Sequence, residues 1–148
     1  MVELLPFLQF SVEVGPLVDL GARNGIRHRM VPITGGTVSG THAGTILPGG
    51  ADWQEMSADG TLDIAAGYVL SLEQGFVEVD SRGIRHAQPD VLARLDAGAL
   101  VDKSEYYFRT AIRFRTSAQP LAYLNTLLAV SVGERHAHAV RLDIYRLS

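Results

Sequence analysis

Residues Thr34–Trp53, TGGTVSGTHAGTILPGGADW, carry two Gly-Gly pairs with Gly40 and Gly44 between them, yet they read as an extended segment rather than as a flexible linker. Val38, His42 and Ile46 fall on one phase of a two-residue period, and Thr37, Ser39, Thr41, Thr45 and Leu47 on the other. Glycine inside a strand marks a bulge, a sharp bend or the close approach of another backbone or a ligand. A strand of this kind, ending in Pro48-Gly49-Gly50 and then Asp52-Trp53, predicts a bent wall element that delivers a carboxylate and an indole to one rim.

The sequence on either side alternates in the same way. Leu8, Phe10, Val12 and Val14 share one face of a strand that Gly15-Pro16 ends. A turn is expected at Gly21–Gly25, followed by an extended Ile26–Ile33. Beyond the Ala58-Asp59-Gly60 turn, Leu62, Ile64, Ala66, Tyr68, Leu70 and Leu72 mark one face of a long strand, and Gln74-Gly75 reverses it into Phe76–Asp80 as a hairpin. One helix is predicted, with Pro89 early, Asp90 near its positive end and Val91, Leu92 and Leu95 on one side before Gly98. From Glu105 to Thr116, Tyr106, Phe108, Ile112 and Phe114 form an apolar face opposite Tyr107, Arg109, Arg113 and Arg115. Pro120–Asn125 suits a helical turn, and Thr126–Val132 with His136–Leu147 reads as a second hairpin joined at Gly133-Glu134.

Such a series of strands must avoid exposed edges, and closing the sheet is the most direct way to do so. The expected fold is therefore all-β, a closed or nearly closed antiparallel β-barrel with one short helix, in one domain over residues 1–148. With 47% hydrophobic and 20% charged residues, disorder is excluded. The net charge of −3 gives no broad attraction to nucleic acid or to an anionic membrane. The chain has no cysteine, which removes disulfides and thiolate chemistry. MVELLPFLQF lacks a basic leader and Leu127–Val130 is too short to span a bilayer, so a cytoplasmic protein is expected.

The runs GGTVSGTHAGTILPGGADW, LDIAAGYVLSLEQGFVEVDSRGIR, YYFRTAIRFRT and LAYLNTLLAVSVGERHAHAVRLDIYRL resemble, in this order and spacing, the family catalogued as domain of unknown function 3237. That resemblance covers nearly the whole chain. It implies a barrel related in architecture to allene oxide cyclase and lipocalin-like barrels, and a homodimer, but no common activity. This chain departs from the family pattern at Gly40-Thr41, Gln74 and Tyr123. Carried over by position, the resemblance singles out Asp52, Trp53, Arg109 and Asn125 as the residues to test.

If these converge, Asp52 as proton acceptor and Arg109 as a lumen-facing clamp for an oxyanion or carboxylate would support cofactor-free proton chemistry on a small carbonyl compound. Enolisation, isomerisation, cyclisation or elimination would fit, with Trp53, Tyr107, Tyr68, Asn125 and His42 shaping the pocket. The same cavity without turnover would make a carrier or sensor of a small apolar acid, and a lumen packed solid would point to function through the surface. Each residue also has an ordinary role: Asp52 bonding turn amides, Trp53 plugging a barrel end, Asn125 capping a helical turn, Arg109 pairing with Asp52 or Glu105. His136 and His138, two apart in an expected strand, could bind zinc or iron with His42 or His28, but their phase continues into Val140, Leu142 and Ile144 and no acidic partner follows. The expectation is thus a site without metal or cofactor. The glycine pairs lack the lysine of a phosphate loop, no GxSxG elbow is present, and no basic-aromatic motif suggests nucleic acid.

Overall fold

A computed structural model describes the whole chain, Met1–Ser148. Ten strands form one sheet: β1 (Leu4–Val14), β2 (Val18–Arg23), β3 (Ile26–Gly40), β4 (Gly44–Ile46), β5 (Ala51–Met56), β6 (Thr61–Leu72), β7 (Gly75–His86), β8 (Tyr107–Arg115), β9 (Leu128–Arg135) and β10 (Ala139–Leu147). The helix α1 (Pro89–Asp96) follows β7, and 3-10 turns lie at Lys103–Glu105 and Gln119–Thr126. Every pairing is antiparallel, in the order β1-β10-β9-β8-β7-β6, and the sheet closes through β5 and β3 back to β1. The result is a closed eight-stranded barrel with β2 and β4 as additional strands.

β3 is the strand that makes closure possible. Its first half lies between β2 and β5, with Met30 opposite both Val18 and Trp53, while its second half lies between β1 and β4, with Val38 opposite both Phe10 and Gly44. The stretch read as one bent wall is thus three strands. β3 runs on to Gly40, His42 lies in the loop that follows, and β4 and β5 occupy successive parts of the gap between β3 and β6. At Gly36 a β-carbon would stand 2.2 Å from the Ser11 carbonyl oxygen, so only glycine lets β1 approach there.

Alternation decides which side chains fill the barrel. In β8 the odd-numbered residues are exposed and Phe108, Thr110, Ile112 and Phe114 are buried. In β6 and β7, Leu62, Ile64, Tyr68, Leu70, Val77, Val79, Ser81 and Arg85 point inward. Thirty buried apolar residues form one continuous core, so the barrel is largely filled rather than hollow. One end is closed by Leu121 and Leu124 from the 3-10 turn after β8, together with Phe7 and Phe114. At the other end α1 buries Val91, Leu92 and Leu95, and its Leu92 lies beside the Gly60 turn.

The last hairpin turns at His136–His138 rather than at Gly133-Glu134. Gly133 sits inside β9 because the Phe108 ring lies flat against it; a β-carbon there would be 2.7 Å from Phe108 Cγ. Its lack of a side chain serves packing, not reversal.

Candidate functional site

The lumen keeps one chamber of about 40 Å³. Val12, Val14, Ile33, Ile64, Phe108 and Leu142 make most of its wall apolar, and Asp52, Tyr68, Ser81 and Thr110 supply its polar atoms. A space of this size holds a few water molecules, on a requirement of about 10–15 Å³ for each. Anything larger needs the wall or the α1 cap to move.

Two polar atoms at this chamber have no partner within the protein: Asp52 Oδ1 and the Tyr68 hydroxyl are both buried and unbonded. Asp52 is carried inward by the phase of β5, where it pairs with Val31 of β3 and Ala66 of β6. Its Oδ2 accepts a 2.7 Å hydrogen bond from Gln54 Nε2, but loss of hydration outweighs that bond and pushes the carboxyl up to about 6. Burial also raises the Tyr68 phenol, and the neighbouring Asp52 charge raises it further, so its proton stays on oxygen. Thr110 and Ser131 satisfy each other at 2.6 Å. The chamber therefore pairs a carboxylate that titrates near neutrality with a permanent hydroxyl donor.

Gln54 links this pair to a charged layer under α1. Its Oε1 accepts from Arg29 Nε at 2.7 Å, and the Arg29 fork donates to both carboxylate oxygens of Asp96 at 2.8 and 2.9 Å. Arg85 Nη2 stands 3.5 Å from Asp96 Oδ1. Burial pushes the Arg85 guanidinium down to about 10, and it lowers Arg135 as well, with Asp96 supporting both cations. Sequence reading missed this layer, although its signal was present. Gln54 is two residues from Asp52, and Arg85 continues the inward phase of Val77, Val79 and Ser81.

Of the residues selected from the sequence, Asp52 and Tyr68 meet at the chamber and the others do not. Arg109 is on the outer face of β8: its Nη1 donates to the Phe108 carbonyl at 2.9 Å, and its guanidinium lies over the exposed Tyr107 ring at 5.0 Å. The expected lumen clamp is corrected accordingly, because the apolar partners of β8 occupy the inward phase. Trp53, one residue from Asp52, faces outward and is 56% exposed, so it plugs nothing within this chain. Asn125 ties the chain after β8, accepting from Thr116 N at 2.8 Å and donating to Thr116 O at 2.9 Å. His42 is hydrogen-bonded through Nε2 to the Tyr123 hydroxyl at the far end of the barrel. His136 pairs with Glu134 at 3.0 Å, and no group of three or more His, Asp or Glu side chains is placed to hold a metal. No helix is long and apolar enough to cross a membrane.

Comparison with known proteins agrees with the barrel. A UPF0311 protein of Bradyrhizobium diazoefficiens is 34% identical over 139 residues, spanning 93% of this chain and 91% of its own. The crystal structure of a β-barrel-like protein from Acinetobacter baumannii superposes with a TM-score of 0.86 at 35% identity, covering 100% of this chain and 97% of that one. A crystal structure of an enzyme from Penicillium herquei shares the fold at 18% identity and a TM-score of 0.72, over 100% of this chain and 94% of that one. Residues 2–147 match the family described as Protein of unknown function (DUF3237), and the chain belongs to that family.

Proposed function

We propose that the barrel binds a small neutral carbonyl compound in its lumen and moves a proton on it, with Asp52 as the base and Tyr68 as the donor to the carbonyl oxygen. The observation that carries this reading is the pair of unbonded polar atoms, Asp52 Oδ1 and Tyr68 OH, at one apolar chamber. A buried polar atom left without a partner costs on the order of 1–3 kcal/mol, and the oxygen of a bound carbonyl compound would accept from Tyr68 OH while its acidic C–H faces Asp52 Oδ1. A carboxylate titrating near 6 is ionised at neutral pH yet basic enough to take a proton from a carbon beside a carbonyl. The hydroxyl held protonated by burial would stabilise the enolate oxygen as charge develops there. Enolisation or isomerisation needs no further group. In the carrier reading the same two atoms anchor the ligand without turnover.

The test is exchange of α-protons for deuterium in small ketones, aldehydes and lactones, followed by NMR in heavy water. The wild type is expected to accelerate exchange of a compound that it binds, Asp52→Asn to lose the acceleration by at least ~100-fold, and Tyr68→Phe to weaken it. Arg109→Leu should leave it unchanged. Binding without exchange would identify a carrier. If nothing binds and Asp52→Asn and Tyr68→Phe merely stabilise the fold, the chamber is a hydrated core and the reading is wrong.

The partner on the outer face is proposed to be a second copy of the chain. Cross-strand neighbours Trp53, Ala65, Arg82, Ala111, Val130 and Tyr145 form one row around the barrel wall, with Ala65, Ala111, Val130 and the exposed Arg82 between the two aromatic residues. Trp53, Ile84 and Tyr107 are exposed on this side beside Arg82 and Arg109, and packing two such sheet faces together would bury these apolar side chains. A cytoplasmic setting suits a chain without cysteine.

A further inference from the structure

Asp96 is the last residue of α1, where the helix dipole disfavours a carboxylate. It is held there by cations from the barrel wall. Arg29 gives it both ends of its fork, at 2.8 and 2.9 Å, and Arg85 approaches the Oδ1 side at 3.5 Å. The two arginine side chains are 6% and 3% exposed and Asp96 is 33% exposed, so the anion comes from the solvent side to cations fixed inside. Arg135, on the adjoining end of β9, is also stabilised as a cation by Asp96.

This arrangement has more donors than acceptors. Arg85 Nε is buried and has no hydrogen-bond partner, and the guanidinium's one carboxylate neighbour is the long contact to Asp96. Arg29 is fully bonded only while a planar, two-oxygen anion lies across its fork; its remaining Nε is committed to Gln54. Gln54 in turn holds Asp52, so whatever anion lies here is coupled to the chamber through a single side chain.

We propose that Arg29 and Arg85 form a binding site for a small monocarboxylate, which the Asp96 side chain occupies from within in this structure. The geometry fits a carboxylate because the Arg29 fork meets two coplanar oxygens, and Arg85 supplies a second cation near Oδ1. An external acid would replace Asp96 and free the end of α1 from the barrel rim. The site lies next to the Asp52–Tyr68 chamber but does not depend on the chemistry proposed there.

The experiment is chemical rescue. Asp96→Ala removes the internal carboxylate, and thermal unfolding is followed in sodium acetate, in sodium chloride at the same ionic strength, and with acetamide added. Acetate is expected to raise the Tm of the variant saturably, by about 5 °C near saturation, while chloride and acetamide do not. Wild type, in which the acid must displace Asp96, should show the saturable difference only at higher acetate concentration. If Asp96→Ala does not fold in chloride, refolding yield in acetate against chloride reads the same quantity. Asp96→Asn, which keeps the shape but not the charge, should also respond to acetate. Equal behaviour of both variants in acetate and chloride, or an equal acetate response in wild type, overturns the proposal. The measurement uses no ligand of the chamber, so its failure would not bear on the Asp52–Tyr68 reading.

Discussion

Asp52 was identifiable from its neighbours in the sequence, but its chemistry arises from burial. The carboxyl is raised from 3.8 to about 6 chiefly by loss of hydration. Between those values the folded protein holds a proton that the unfolded chain has released, so this residue makes stability fall as pH rises through that window. At neutral pH the cost is about 3 kcal/mol, because each tenfold change in proton affinity between the folded and unfolded chain corresponds to about 1.4 kcal/mol. Asp52→Asn is therefore expected to be more stable than wild type at pH 7.5 and closely matched to it at pH 4, as measured by urea unfolding at both. The comparison isolates Asp52, because the carboxylates of Asp19, Asp59 and Asp102, held low mainly by backbone N–H groups, are present in both proteins. A variant less stable than wild type at pH 7.5 would show that the ionised carboxylate is a net structural asset.

Among the elements, the join between β4 and β5 is the most constrained. Residues 47–50 leave the ladder between them, yet the wall stays shut: Leu47 N donates to the Val69 carbonyl and Ile33 N to the Gly50 carbonyl, both at 2.9 Å. A β-carbon at Gly50 would stand 2.5 Å from Gly67 O and 2.7 Å from Tyr68 Cβ, whereas one at Gly67 would meet nothing within 4 Å. Gly50→Ala is thus expected to cost about 1–3 kcal/mol and to disturb the chamber through Tyr68. Gly67→Ala should be neutral or stabilising by up to ~1 kcal/mol, since it restrains a strand residue without a clash. Guanidinium unfolding of the two variants tests the contrast, and equal effects would refute it. The sequence marked Gly49-Gly50 as a special turn; it did not show that Gly50 faces its neighbour and Gly67 faces open space, because that depends on the register of β5 against β6.

For the whole molecule, closure of the barrel sorts residues into lumen or exterior, and it leaves an exposed apolar patch around Trp53, Ile84 and Tyr107. A homodimer that buries this patch predicts that Trp53→Glu or Ile84→Glu gives a monomer by analytical ultracentrifugation, with the barrel's circular dichroism unchanged. In wild type, dilution to the monomer should increase quenching of Trp53, the only tryptophan, by acrylamide. A wild type that sediments as a monomer at high concentration would remove the proposal.

The all-β class, the long hairpin of β6 and β7, the helix from Pro89 and the inward apolar face of β8 were legible because each is set by local periodicity and turn chemistry. Asp52 and Tyr68 could be selected in the same way. The outward placement of Arg109 follows from the same alternation, opposite Phe108, whereas the meeting of Asp52 and Tyr68, the exposure of Trp53, the turn at His136–His138 and the arginine layer under α1 were decided by tertiary structure. The physical reason is that alternation specifies two faces without saying which one is buried. That choice is made when the sheet closes and the larger apolar face takes the interior, and polar residues on the inward phase then find partners on strands far away in the chain. Arg29, Gln54, Arg85 and Asp96 come from four separate elements, and only the closed barrel brings them together.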